Sequence, residues 1–388
     1  MIRYPAAEGL DRMLEQVPTG NAVVLGLMSG TSLDGLDLCL TRILYGPDLP
    51  WSFEILHAST AAYPEHWKQR LLQGPSLKAG ELGQLDAELG RYWGELTAAF
   101  MKEGRSLNHD LPDPVLIASH GHTLCHRPDA GYTLQIGSAA YLHALTHLPV
   151  VYDFRSLDLA LGGQGAPLVP AGDALLFGHY DACLNLGGIA NLSWSEGTGR
   201  AACDLTFCNT ALNFFALRTG LGMDLDGQLA LKGRPQPDLL DFWAGAPWYR
   251  LRGARSLDSS LFAAEFLKEG ILEAYSPEDL CHNWCLHLAS VVSDNLHRAG
   301  RADHLHRAGR ADHPSILVTG GGAAHPFLIR SLQAALPHRV HVPDPTLRDF
   351  KEALIFGLLG LLHHLRLPNV LGQSTGSAWN HLSGSRIG

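Results

Sequence analysis

The residues of this chain best suited to chemistry stand in three short glycine-bearing loops. They read Gly26-Leu27-Met28-Ser29-Gly30-Thr31-Ser32-Leu33-Asp34-Gly35-Leu36-Asp37, then Asn185-Leu186-Gly187-Gly188-Ile189-Ala190-Asn191, then Thr319-Gly320-Gly321-Gly322-Ala323-Ala324. Each follows an apolar β-type run, at 22–25, 182–184 and 316–318. Glycines at strand ends reach φ/ψ values that other residues avoid, so backbone N–H groups can crowd into a concave anion site. Three such loops suggest a polyphosphate gripped from several sides, that is, a nucleotide lying between two domains. In the first loop Thr31 and Ser32 add hydroxyl donors, while Asp34 and Asp37 are hard carboxylates suited to Mg²⁺ or its waters. Phosphoryl transfer asks for this kind of help: phosphates held, metal placed, acceptor oriented. The plainer reading is a hairpin turn, for which Asp34-Gly35 is itself a strong signal; the density of phosphate-compatible residues favours function. No Gly-x-x-x-x-Gly-Lys-Ser/Thr occurs, and no Gly-x-Gly-x-x-Gly follows a strand, so a P-loop is excluded and a dinucleotide site has no support.

Other chemistry-bearing residues are less decisive alone. Asp153-Phe154-Arg155-Ser156-Leu157-Asp158 follows a strand and offers a polar grip on a hydroxylated or acidic ligand, or an interdomain ion pair through Arg155. The turn at 163–167 leads into a helix whose N-terminus could face an anion. Asp204, after a strand in Cys203-Asp204-Leu205-Thr206-Phe207-Cys208-Asn209, stands among apolar neighbours, where burial could make it a working base; a structural aspartate or helix N-cap competes equally. His120 and His122, with His126 beyond, form half of a zinc site, but no second half stands out and Gly121 suggests a loop. Cys281 and Cys285 lack a second half too, and read as a buried helix face. Trp243, Trp248 and Tyr249 read as core before sugar platforms.

The elements that must position these groups follow from composition and periodicity. At 388 residues the chain exceeds one ordinary core, so two domains are expected. Hydrophobic content of 46% with 17% charged residues describes a well-buried enzyme-like protein. A formal charge of -9 invites neither nucleic acid nor an anionic membrane. The N-terminus carries no signal-type h-region and no apolar run approaches a membrane span, and seven cysteines without framework spacing fit a reducing cytoplasm. Strands are expected at 22–25 and 36–44 around the first loop, then at 115–118, 132–136, 150–152 and 182 onward. Helical periodicity covers about 80–101, with Leu82, Leu85, Leu89, Trp93 and Leu96 on one face; another helix ends at 177 and an apolar helix covers 352–365. The class is α/β with two similarly built halves: a leader over 1–20, an N-terminal domain over 21–155, and a C-terminal domain over 156–388 whose last helix and tail could pack back toward the cleft. Residues 296–304 and 305–313 repeat the same nine residues, read as a slipped surface duplication that inflates the count of 21 histidines.

In their order these motifs resemble the anhydro-N-acetylmuramic acid kinases, over about 23–378. The matching pieces are 26–37, Ser119-His120-Gly121-His122-Thr123, Thr133-Leu134-Gln135-Ile136-Gly137, 153–170, 185–192, Gly320-Gly321-Gly322, Glu352-Ala353 and Ser374-Thr375-Gly376. The resemblance implies two actin-like (ribonuclease H-like) domains with a nucleotide cleft between them, and an enzyme of peptidoglycan recycling. Such an enzyme hydrolyses the 1,6-anhydro bridge of its sugar and phosphorylates O6 with ATP and Mg²⁺. It implies that Gly30, Thr31, Ser32, Leu33, Asp34, Gly35, Leu36 and Asp37 hold the ATP phosphates, with Gly187 and Gly188 alongside and Gly320, Gly321 and Gly322 on the adenosine side. Asp204 falls on the general base; His120, Asp153, Arg155, Asp158 and Glu352 fall around the sugar. A homodimer is implied as well.

The chain departs from that pattern on the sugar side. Asp-Thr-Gly-Pro-Gly-Asn is replaced by Asp204-Leu205-Thr206-Phe207-Cys208-Asn209. If positive φ were used there, each replacement would cost on the order of 1 kcal/mol or reshape the turn, and Phe207 would add bulk beside the base. Arg255-Ser256-Leu257-Asp258-Ser259-Ser260 also loses an arginine and a glutamate of the family pattern. Alternatives therefore remain: a kinase for another 1,6-anhydrosugar such as levoglucosan, a binding homologue without turnover, or a metallohydrolase using His120 and His122.

Overall fold

The computed structural model describes residues 17–30, 32–196, 199–250, 257, 261–267, 270–300, 315–336 and 339–388. Thr31, residues 1–16 of the 1–20 leader, most of the 255–260 segment and most of the nine-residue duplication lie outside them. Two compact units emerge. One holds the described residues up to Leu176 together with Phe350–Gly388; the other is Phe177–Asp349. The division thus falls at Leu176 rather than after residue 155, because 154–164 is tied to the C-terminal tail. Thr375 Oγ1 donates to Asp158 Oδ1 at 2.7 Å, Gln164 N to Thr375 O at 2.8 Å, and Ser383 Oγ to Phe154 O at 2.8 Å.

In the first unit β1 (Gly20–Ser29), β2 (Gly35–Tyr45) and β3 (Ser52–Ala62) form an antiparallel meander. β4 (Ile117–Arg127) adds parallel to β1, β5 (Tyr132–Ile136) folds back on the far half of β4, and β6 (Val150–Tyr152) lies parallel to its near half. The C-terminal strand Ser385–Ile387 covers the β6 edge. Alternation along β1 builds two layers. Val23, Leu25 and Leu27 meet Leu85, Leu89 and Trp93 of the helix Ala79–Leu107, which runs six residues beyond its expected end. On the opposite face a Cβ on Gly26 would sit 1.8 Å from Ala353 O, so Gly26 admits the helix Pro345–His364 rather than a phosphate.

The second unit repeats the plan. β7 (Ala182–Leu186), β8 (Ile189–Glu196) and β9 (Gly199–Phe207) form the meander; β10 (Ser315–Thr319) lies parallel to β7, and β11 (Arg339–His341) parallel to β10. The order β9-β8-β7-β10-β11 reproduces β3-β2-β1-β4-β6 of the first sheet, with the same directions. Its core is aromatic: Trp284 on the helix Pro277–Gly300 meets Trp243, Phe215, Phe262 and Phe266 with ring centroids 4.8–5.9 Å apart. Trp243 and Trp248 are core residues, and Cys281 and Cys285 are buried on the same helix. β9 is an edge strand, and tryptophans satisfy its outer carbonyls: Trp248 Nε1 donates to Leu205 O at 2.8 Å and Trp284 Nε1 to Phe207 O at 2.9 Å. Among the described residues no helix is long and apolar enough to cross a membrane.

Candidate active site

The 30–37 loop joins β1 to β2. Leu33 adopts φ 60° and its N–H closes a turn on Gly30 O at 3.3 Å; Tyr63 N donates to Asp34 O at 3.1 Å. Leu33 and Leu36 are buried, so they bring the loop only backbone. Gly35 is required by sheet packing, since a Cβ would lie 2.4 Å from Ala61 O. Gly30 differs: a Cβ there would meet nothing nearer than Ser32 Oγ at 3.6 Å, so a ligand can approach its backbone. Ser32 and Asp34 are exposed, whereas Asp37 is half-buried and accepts from Thr60 Oγ1 at 2.5 Å.

β4 passes straight through Ser119-His120-Gly121-His122, where a loop is expected; a pairing shift and φ 78° at Gly121 make a bulge that keeps the strand intact. His120 is buried. Its Nδ1 donates to Gly121 O at 2.8 Å, and its Nε2 accepts from Arg155 Nε at 3.1 Å and Nη2 at 2.7 Å. Burial, then the Arg155 charge, holds its pKa well below the ordinary range, so the ring is neutral with its proton on Nδ1. Arg155 Nη1 also donates to Gly165 O at 2.5 Å. Burial raises the Glu352 carboxyl, while the Lys351 and Arg155 charges oppose the rise. Asp153 holds φ 55°, and its Oδ1 accepts from Ser156 N and Oγ at 3.3 and 2.6 Å. Asp158 is fully buried; its Oδ2 accepts from Gly165 N at 2.6 Å and its Oδ1 from Thr375, so it braces the 162–167 turn.

A pocket of about 370 Å³ opens beside this cluster, lined in part by His120 and Asp153. Its wall also holds Asp86 and Tyr152, which sequence reasoning missed, and Ser119 and Gln135, which it placed in matching motifs without a role. Asp86 stands on a leucine-rich helix face, where nothing in the spacing marks it; its Oδ1 accepts from Gly137 N at 2.8 Å. Ser119 Oγ is buried without a hydrogen-bond partner among the described residues, and its place beside His120 is the signal that could have found it. The zinc alternative finds both histidine rings engaged: His120 with Arg155 and His122 Nδ1 with Ser29 Oγ at 3.0 Å. Among the described residues no group of three or more His, Cys, Asp or Glu side chains is placed to hold a metal ion.

In the second unit the two remaining glycine loops meet at the end of β7. Cys208 N and Asn209 N donate to Gly188 O and Gly187 O at 2.8 and 3.1 Å. A Cβ on Gly320 (φ 85°) would fall 2.6 Å from Asn185 Oδ1, and one on Gly322 2.8 Å from Leu186 Cβ. Gly187 and Gly321 have nothing nearer than 3.5 Å, which leaves their backbone approachable. Asp204 lies within β9, not after it, is 8% exposed, and its Oδ2 accepts from Leu257 N at 2.8 Å. The replaced segment uses no positive φ at any of residues 205–208, and Cys208 sits at φ -116°. A register shift at Leu205 breaks the alternation between Asp204 and Phe207, and the Phe207 ring packs edge-on against Phe262 and Phe266 at 5.2 and 5.8 Å.

Two α/β units of one strand order, each turning through glycines at its central strand ends, define a protein of the actin-like, ribonuclease H-like class. Within that class the chain belongs to the anhydro-N-acetylmuramic acid kinase family, whose model matches residues 22–387. It is 35% identical over 375 residues to the anhydro-N-acetylmuramic acid kinase of Bordetella parapertussis, covering 91% of this chain and 92% of that protein. It is 31% identical over 376 residues to that of Vibrio vulnificus, covering 91% and 95%. Among solved structures, component A of the (R)-2-hydroxyglutaryl-CoA dehydratase of Acidaminococcus fermentans aligns with a TM-score of 0.42 at 12% identity, over 87% of this chain and 96% of that one, a likeness too slight to argue from.

Proposed function

We propose that this chain is an ATP-dependent anhydro-N-acetylmuramic acid kinase, opening the 1,6-anhydro ring of 1,6-anhydro-N-acetylmuramic acid and phosphorylating O6 to give N-acetylmuramic acid 6-phosphate. The observation that carries the proposal is the family match over 22–387. ATP phosphates are held by the 30–37 loop and by Gly187 and Gly188, and the adenosine side by Gly320, Gly321 and Gly322. The openness of Gly30, Gly187 and Gly321 supports this reading. Asp34, exposed and without a side-chain partner among the described residues, and Asp37 supply the hard carboxylate oxygens that fit Mg²⁺. When bound, that ion would neutralise charge on the phosphate oxygens.

Asp204 takes a proton from the water that attacks C1. The C1–O6 bond breaks as the new C1–O bond forms, and O6 leaves with its electron pair. O6 then accepts the γ-phosphoryl group, and ADP departs. His120, Asp153, Arg155 and Glu352 face the sugar, while Asp158 acts on it through the 162–167 turn. Seven free thiols fit a cytoplasmic setting; a homodimer completes the proposal and is read by light scattering. The test is turnover of 1,6-anhydro-N-acetylmuramic acid with ATP and Mg²⁺ in ¹⁸O-labelled water. Sugar phosphate labelled at C1 is the expected result; bound ATP with no sugar phosphate would sink the assignment.

A further inference from the structure

Behind the 30–37 loop runs a buried chain of side chains that the mechanism above does not use. Trp93 Nε1 donates to Tyr63 Oη at 3.0 Å, Tyr63 Oη lies 2.8 Å from Ser29 Oγ, and Ser29 Oγ lies 3.0 Å from His122 Nδ1. All four residues are at most 3% exposed. An indole N–H only donates, so Tyr63 Oη accepts from Trp93. Among the described residues Ser29 Oγ is then the acceptor within reach of the buried Tyr63 proton, and the arrangement that leaves no hydrogen of the chain unmatched has Tyr63 donating to Ser29. Ser29 then spends its own proton on His122, which makes Nδ1 an acceptor. A neutral imidazole with Nδ1 bare carries its hydrogen on Nε2. Burial keeps the ring neutral, pushing its pKa down to about 4. His122 Nε2 has no hydrogen-bond partner among the described residues and is not one of the sealed polar atoms, so its N–H is open to an acceptor from outside the protein.

Ser29 and His122 are paired across β1 and β4, so the ring stands where β1 enters the loop at Gly30 and two positions from His120. We infer that Trp93, Tyr63 and Ser29 form a one-way relay that fixes His122 as an Nε2–H donor for an oxygen acceptor of the bound reactants, either a phosphoryl oxygen or a sugar hydroxyl. His122 is then a binding residue and the other three are positioning residues. The same relay removes the Nε2 lone pair that a zinc ligand would need.

The inference rests on the kinase reading for its reactants but not for its tautomer, so two readouts separate them. In the full-length protein with ¹⁵N-labelled histidine at pH 7.5, His122 should show a protonated Nε2 and a bare Nδ1 by long-range ¹H–¹⁵N NMR. A protonated Nδ1 would overturn the relay whatever the enzyme turns over. Tyr63→Phe, which cuts the relay but keeps the ring packed, should shift that tautomer balance; an unchanged spectrum would also overturn it. In steady-state kinetics His122→Leu should lower kcat/KM by roughly 10- to 100-fold, with His122→Gln, whose amide still donates, recovering much of the loss. A rise confined to the KM for ATP assigns the acceptor to phosphate, and one confined to the sugar KM assigns it to a hydroxyl. A folded His122→Leu protein with unchanged kinetics, or a Gln variant no better than Leu, would overturn the donor role. Should the wild-type enzyme turn over no anhydrosugar, the kinase reading fails and the NMR result still decides the relay.

Discussion

At the scale of single residues, each proposed role has its own signature. Asp204→Asn keeps size and the acceptor for Leu257 N, so the fold and ATP affinity should survive while kcat falls by about 10²–10⁴-fold. Activity within a few-fold of wild type would remove Asp204 as the base. Buried histidines set the response to acid. Burial holds His287 at about 3 against an ordinary 6.5. The unfolded chain therefore takes up the proton first. The resulting stability is complete above pH 6.5 and is lost as pH falls through the window from 6.5 to 3. At pH 5 the loss should reach about 2 kcal/mol for this one group, and Tm should fall less steeply in His287→Gln than in wild type; parallel curves would show that His287 is not responsible. Residue types around the site were legible from the sequence where they sat in a run, as with His120 and Arg155. The pairing of Arg155 with His120, 35 positions away, and the Ser29–His122 contact, 93 positions away, have no local pattern that could announce them.

At the scale of elements, period and turn chemistry carried most of the reading. The strands at 132–136 and 150–152 are present with the expected ends, and the hairpin around the first loop and the two expected long helices with shifted ones. Termini moved because tertiary packing extends a helix past its periodic core: Gly104 of Ala79–Leu107 fits against Leu111 and His57, which the apolar stripe does not encode. The same helix yields a paired test. Gly83 faces open space, whereas a Cβ on Gly90 would lie 2.5 Å from Ser138 O. Gly83→Ala should therefore stabilise by about 0.5–1 kcal/mol, and Gly90→Ala should destabilise despite the same gain in helix propensity. Urea midpoints read both; equal shifts would mean that the helix does not pack against Ser138 as described. β4 shows the opposite failure of local reasoning, since Gly121 reads as a loop yet serves a bulge inside a strand.

At the scale of the whole molecule, duplication was visible as repeated loop chemistry, but the assignment of segments to units was not. Residues 156–176 follow the first unit because Asp158, Gln164 and Thr375 bond across more than two hundred positions of sequence. The Lys351–Asp173 ion pair, 2.6 Å long with both side chains 3% exposed, adds a charged tie within that unit. Lys351→Met should leave the buried Asp173 carboxylate without the ammonium that balances it, at a cost of about 3–5 kcal/mol. The double change Lys351→Met with Asp173→Leu should recover much of it, and a double variant as unstable as the single one would argue that packing, not charge, holds the site.

The cysteines give these two bodies separate voices in a mass spectrum. Cys183, Cys203, Cys208, Cys281 and Cys285 lie in the second unit, and Cys39 and Cys125 in the first. All but the half-buried Cys125 are sealed in packed interiors, so an alkylating pulse marks a thiol only when its surroundings open. Opening of the second unit alone would appear as a jump of five adducts, and opening of the first as the one further adduct of Cys39. The chain thus carries a built-in tally of which half loosens first as denaturant rises, with no probe attached.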